Sequence, residues 1–319
     1  MRKILAAVLA AGLMAAGLSD AFAKAQCNPK DTDLNTCAAL WREIGLPGGS
    51  AAGKTRVCHD RFVLSHDNAS KTPDWVIELL TKAKLTNKFK RPKDVNFSGD
   101  LCVPASGQPD PGDYKKTPEK FEIGHMAPSD DFNNSVVNMR DTFVFSNAVP
   151  QAGDTFNAAI WRSLETEVRK AAVARKIDVA KADNACGGAI ELETFATKFA
   201  CKARNTGATG TCSSGVVVPI ALYKIVYDPQ SKAAYAFVMG NHNYPPKLGR
   251  VFMEQSRVNV GVVEKLTGLK FFPALPADER TRLVDKCEQT QLWAAAAPKA
   301  AKKKVAKHKK PAKKKKKPV

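Results

Sequence analysis

The stretch Phe121-Glu122-Ile123-Gly124-His125-Met126-Ala127-Pro128-Ser129-Asp130-Asp131-Phe132, FEIGHMAPSDDF, is a short strand-like run that delivers a Gly-His pair and then turns into an acidic loop. The next forty residues give that pair a setting. Val136 to Met139 is expected as a short helix, and Asp141 to Ser146 (DTFVFS) as a strand that leads into Ser146-Asn147-Ala148-Val149-Pro150-Gln151. From Thr155 to about Lys176 the chain is rich in helix formers, with Asp154 or Thr155 able to cap the first turn. Ile160, Leu164, Val168 and Ala171 or Ala172 recur every three to four residues, the period of one buried helix face. The expected unit is strand, loop, strand, helix. It carries a histidine at one end and an amide, Asn157, and a carboxylate, Glu165, on the helix.

Outward from this unit, residues 56–65 (RVCHDRFVLS) read as a strand and Trp75 to Leu80 as a strand or short helix. Residues 85–115 read as loop. Residues 216–228 and 233–241 read as two sheet strands, with Pro219 making the first locally irregular. Residues 256–268 form a helix ending at Gly268, and 276–287 a last helix opened by proline. Paired strands with helices between them, and no βαβ alternation, predict an α+β fold with a mainly antiparallel central β-sheet flanked by helices.

Three segments are expected along the 319 residues. Residues 1–23 resemble a signal peptide: Arg2 and Lys3, then an apolar run from Ile4 to Leu18, then Ala21-Phe22-Ala23 as a small-x-small cleavage site. That predicts a secreted or periplasmic protein after cleavage near Ala23, with no transmembrane span. Residues 24–295 are expected as one folded domain without an evident linker, and 296–319 as a disordered Lys-rich tail whose charges repel and which has little to bury. The formal charge of +19 comes largely from that tail; without its twelve lysines the rest carries +7. Such a tail suits nucleic acid or another polyanion. Eight cysteines, an even count in an exported chain, predict four disulfides. The most local set pairs Cys27 with Cys37, Cys201 with Cys212, Cys58 with Cys102 and Cys186 with Cys287.

The side chains of the central unit meet the needs of phosphodiester cleavage. A water must lose a proton as it attacks, and a neutral His125 can accept it near neutral pH. The leaving oxygen needs a cation. Mg²⁺ takes oxygen ligands, keeps most of its waters and needs only one or two protein groups. Asn157 can offer an amide oxygen, and Glu165 a carboxylate for the ion's water shell. Arg91, in NKFKRPKDV, is the candidate phosphate grip. Taken singly, each residue has a plainer structural reading, and Trp161, His59, His66 and His242 keep theirs. The joint order carries the argument.

That order resembles the DNA/RNA non-specific endonuclease family, the ββα-metal (histidine-metal-finger) nucleases. Their Asp-Arg-Gly-His-x-Ala-Pro-x-x-Asp motif stands here as residues 122–131. Their Ser-Asn-x-x-Pro-Gln is Ser146 to Gln151, and their Asn-x-x-x-Trp-x-x-Leu-Glu is Asn157 to Glu165. The resemblance covers about residues 56–275. It implies a ββα-metal finger, a six-stranded antiparallel sheet, dependence on Mg²⁺ (with Mn²⁺ an alternative), and cleavage of DNA and RNA to 5′-phosphate ends without sequence reading. It implies His125 as general base, Asn157 as the direct metal ligand and Glu165 as the carboxylate that orients metal-bound water. Arg91 would hold phosphate, and Glu122, Asn147 and Gln151 would border the substrate. Two positions depart from the motif. Glu122 stands for Asp, and Ile123 for Arg, a loss of one charge-assisted phosphate contact worth about 1.5–3 kcal/mol. The alternative reading is a weakened nuclease fold that binds nucleic acid or other polyanions.

Overall fold

The computed structural model describes residues 27, 29–85, 89–110, 112–114, 121–174 and 216–286. Both expected end segments and all four cysteines after residue 180 lie outside these. So do the Cys201–Cys212 and Cys186–Cys287 pairings.

Eight strands form three antiparallel sheets: β1 (Lys54–His59), β2 (Phe62–Asp67) and β3 (Thr72–Glu78); β4 (Phe121–His125) with β5 (Ala148–Ala152); and β6 (Ala221–Asp228), β7 (Ala233–Gly240) and β8 (Arg257–Val258). The α+β class with antiparallel sheets and flanking helices holds. The described strands divide three, two and three, and not into one sheet of six.

Period-2 alternation explains how β7 builds two cores. Its residues Tyr235, Phe237 and Met239 face a core shared with Phe156, Trp161, Leu164 and Val168 of the helical stretch after β5. Ala234, Ala236 and Val238 face the other core, against Val260 and Val263 of helix Val260–Thr267 and Leu283 of helix Ala277–Asp285. Each large side chain buried in these layers contributes about 1.5–3 kcal/mol. Asn259 caps the first of these two helices by accepting from the Val262 amide (2.9 Å), and Gly268, at φ 72°, ends it in the left-handed conformation that glycine adopts freely. A third core, with Val57, Phe62 and Leu64 from β1 and β2, supports Ala127, Phe132, Met139 and Phe143 of the loop between β4 and β5.

Three local expectations are corrected. Residues 56–65 are two strands of a hairpin, turning at Asp60-Arg61. Residues 141–146 are not a strand: a helix, Val136–Asp141, runs into Thr142, and a 3-10 turn, Phe145–Asn147, precedes β5. Phe143 and Phe145 are buried there as core anchors, which is why they carry a strand-like composition. The two described disulfides are Cys27–Cys102 and Cys37–Cys58, replacing the expected Cys27–Cys37 and Cys58–Cys102. Sequence proximity lost to tertiary proximity: Cys37 lies in a 3-10 helix packed against β1, which holds Cys58. Among the described residues no helix is long and apolar enough to cross a membrane.

Candidate active site

β4 and β5 pair in register His125↔Ala148, Gly124↔Val149 and Glu122↔Gln151, and the chain passes from β5 directly into helix. This is the expected strand–loop–strand–helix unit, with its second strand shifted toward the C-terminus. Its first helical segment, Gly153–Trp161, is π-helical, and α-helix follows over Arg162–Ala174.

His125 sits between two rings, Phe97 and Phe143, each 4.6 Å away centroid to centroid. Burial, aided by the Arg91 cation, pushes its imidazolium down to about 3, so the ring is neutral near pH 7. The Thr142 hydroxyl has one proton and donates it to the Met139 carbonyl (2.8 Å). Thr142 Oγ1, 3.3 Å from His125 Nε2, therefore accepts from that nitrogen. The proton is held on Nε2 and the Nδ1 lone pair is left free.

Asn157 and Glu122 meet: Asn157 Nδ2 donates to Glu122 Oε2 at 2.7 Å. A carboxylate only accepts, so it fixes the amide with its NH₂ toward β4 and its carbonyl oxygen turned away, a hard donor suited to a cation. Glu122 is thus a partner of the candidate ligand.

Arg91 is exposed, with its guanidinium 4.2 Å from the centre of the Phe143 ring, the ring that also walls His125. Its charge is felt by His125.

Asn147 and Gln151 are wholly buried, which corrects the expectation that they border the substrate. Asn147 accepts from the Ala127 amide (2.9 Å) and donates to the carbonyls of Ala127 (3.0 Å) and Thr142 (2.9 Å). It acts as a peptide mimic that pins the loop after His125. Gln151 crosses over Gly124 and donates to the His125 carbonyl (3.2 Å).

Glu165 is buried in a charged interior cluster with Lys224, Asp131 and Arg169. Burial pushes it up to about 7, the Lys224 ammonium opposing and Asp131 adding to the rise. Arg169, one helical turn on, forms an ion pair with Asp131, the last residue of the opening motif. Desolvation beside this cluster raises the half-buried Glu78 well above the usual carboxylate range.

Thr142, Phe97, Phe143 and Arg169 were not singled out in the sequence. Only Arg169 had a signal, its spacing of four from Glu165 on a helix. His59 is structural as expected: its Nε2 lies 3.0 Å from buried Asp100, which also accepts from Ser146.

A family model described as DNA/RNA non-specific endonuclease matches residues 45–278. The mitochondrial nuclease EXOG of Danio rerio is 28% identical over 263 residues, covering 81% of this chain and 73% of that protein. EXOG of Xenopus laevis is 31% identical over 264 residues, covering 78% and 67%. Among solved structures, a chain of the EndoG/EndoGI inhibitor complex superposes with a TM-score of 0.58 at 21% identity, covering 76% of this chain and 94% of that one, a likeness of fold. The secreted or periplasmic location expected from residues 1–23 is overturned by these relatives, which are named as mitochondrial nucleases.

Proposed function

The chain belongs to the DNA/RNA non-specific endonuclease family and is a phosphodiester hydrolase, and on that premise we propose how its residues divide the work. His125 is the general base, Asn157 the one direct protein ligand of a divalent metal, Arg91 the phosphate grip, and Glu165 the carboxylate that orders water. The substrates are DNA and RNA, cut without sequence reading.

The observation that carries the assignment is the Thr142–His125 contact, which leaves Nδ1 of a neutral imidazole as the basic atom. In the proposed step Nδ1 takes a proton from water as its oxygen bonds to phosphorus. The bond to the 3′-oxygen breaks and that oxygen takes a proton from a solvent water, leaving a 5′-phosphate and a 3′-hydroxyl, while His125 returns its proton to solvent. When bound, Mg²⁺ or Mn²⁺ supplies positive charge for the leaving oxygen. The donor set fits such an ion. No group of three or more His, Cys, Asp or Glu able to hold a metal occurs among the described residues, while Asn157 has its oxygen turned out. A hard ion that keeps most of its waters needs little more. Glu122 would hold the Asn157 amide in that orientation. Thr142, Asn147 and Gln151 would fix the histidine and its loop.

Residues 24–295 are proposed as the nuclease domain, preceded by a removable leader, 1–23, and followed by the basic tail, 296–319, which would hold nucleic acid or another polyanion. Ile123, where the family motif has arginine, favours a second reading: a fold that binds nucleic acid and cuts it weakly or not at all. Incubation of plasmid and RNA with Mg²⁺ or Mn²⁺ decides between them. The expected result is degradation by the native protein, none in EDTA, and none by folded His125→Ala. Full activity in that variant or in EDTA refutes the proposal, and gel retardation without any cutting supports the second reading.

A further inference from the structure

We propose that Phe89 is a nucleobase-stacking residue, which holds one base of a single-stranded substrate beside the phosphate gripped by Arg91. The identity of the ligand rests on the nuclease reading above; the placement of the ring does not. Phe89 is 54% exposed and is the one aromatic among the exposed large hydrophobic side chains of the described residues. Among the described residues it belongs to no hydrophobic core cluster, so the described packing gives no reason for a phenyl ring there. Its backbone is nevertheless held: the Phe89 amide donates to the Asn133 carbonyl at 2.7 Å, which ties it to the loop that follows His125. Lys90 and Arg91 follow it and are exposed as well.

Position makes this ring useful. Two residues of chain span at most about 7 Å, so Phe89 lies close to Arg91. Arg91 in turn covers the Phe143 ring that walls His125. A strand whose phosphate reaches Arg91 then has an adjacent base within reach of Phe89. Single-strand binders combine a cationic track with an exposed ring, and stacking tolerates any sequence because every base has a π-face. That matches an enzyme that does not read sequence. It also predicts a preference for unpaired nucleic acid, whose bases are free to leave the stack.

Binding of short fluorescent oligodeoxynucleotides, measured by anisotropy in EDTA, tests this without catalysis. Phe89→Ala is expected to weaken binding about 5- to 150-fold, Phe89→Trp to restore it, and Phe89→Leu to restore little of it. The loss should vanish on an oligonucleotide made wholly of abasic sites. The salt dependence should keep its slope in Phe89→Ala and lose about 0.7 in Lys90→Ala, because only the second removes a charge. The fluorescence of the Phe89→Trp indole should also be quenched by normal and not by abasic strands. Native-like affinity in Phe89→Ala, or an equal loss on abasic strands, overturns the assignment. If the native protein never cuts nucleic acid yet the indole is quenched, the catalytic reading fails and this one stands.

Discussion

Replacing Gly124 by alanine adds one methyl group at the point where β4 turns its backbone over to His125. A Cβ there would fall on the Cγ, Cδ and Nε2 atoms of Gln151. Gln151 has no exposure, and its amide donates to the His125 carbonyl. The clash belongs to the overpacking class, about 1–3 kcal/mol. Displacing Gln151 forfeits a hydrogen bond worth about 0.5–1.5 kcal/mol more. Gly124→Ala should therefore lose about 2–4 kcal/mol. At about 2–4 °C per kcal/mol for a domain of this size, the melting point falls by roughly 4–16 °C. Activity should fall further than stability, because a base misplaced by about 1 Å costs on the order of a hundredfold. Calorimetry and initial rates on plasmid DNA measure the two effects separately. Gly124→Ala/Gln151→Ala removes the obstacle and should recover at least about 1 kcal/mol relative to the sum of the single changes. A Gly124→Ala protein that melts and cuts like the native one refutes the reasoning, as does strict additivity in the double variant.

Acid and alkali should act through different residues. Because burial depresses His125 to about 3, its contribution to stability is complete above the unfolded value near 6.5 and is lost as pH falls toward 3. Glu165, raised to about 7, has the opposite sign: its contribution is complete below about 4.5 and is lost as pH rises through 7. Urea titrations across pH should show Glu165→Gln flattening the alkaline fall by up to about 3 kcal/mol; an unchanged alkaline limb would disprove the assignment. Asn147→Ala orphans three buried backbone groups and should cost about 3–6 kcal/mol in urea unfolding; a loss under 1 kcal/mol would mean the loop is held elsewhere. Deleting residues 296–319 should weaken DNA binding and shallow its salt dependence, and an unchanged slope would assign the tail another partner.

The candidate reacting groups were legible because chain order sets them out. A Gly-His at a strand end and an Asn on the following helix are chemical types whose roles follow from what they can donate or accept. Their supports were not legible. That Glu122 orients Asn157 depends on β4 lying against a π-helical turn, and a 3.6-residue period does not foretell that geometry. Thr142 was hidden inside DTFVFS, whose β-branched and aromatic residues read as a strand. Their real task is to fill the core beneath His125. The β1–β2 hairpin was missed for a related reason: Asp60-Arg61 is not one of the glycine or asparagine pairs that announce a two-residue turn.

Some properties are local and additive along the chain. Helix over residues 155–174, the Gly268 stop, the antiparallel pairing tendency and the candidate base and ligand all follow from residue type and spacing, and the sequence alone determined them. Others exist only between segments far apart in the chain. Cys27 meets Cys102 and not Cys37, and Arg91 covers the Phe143 ring that walls His125. The proton rests on Nε2 because Thr142 already spends its own on Met139. These contacts are set by how two cores close on either face of β7 and a third closes beneath the β4–β5 loop. Burial and hydrogen bonding act through space, so the tertiary structure decided which imidazole nitrogen keeps its lone pair and which way the Asn157 amide faces.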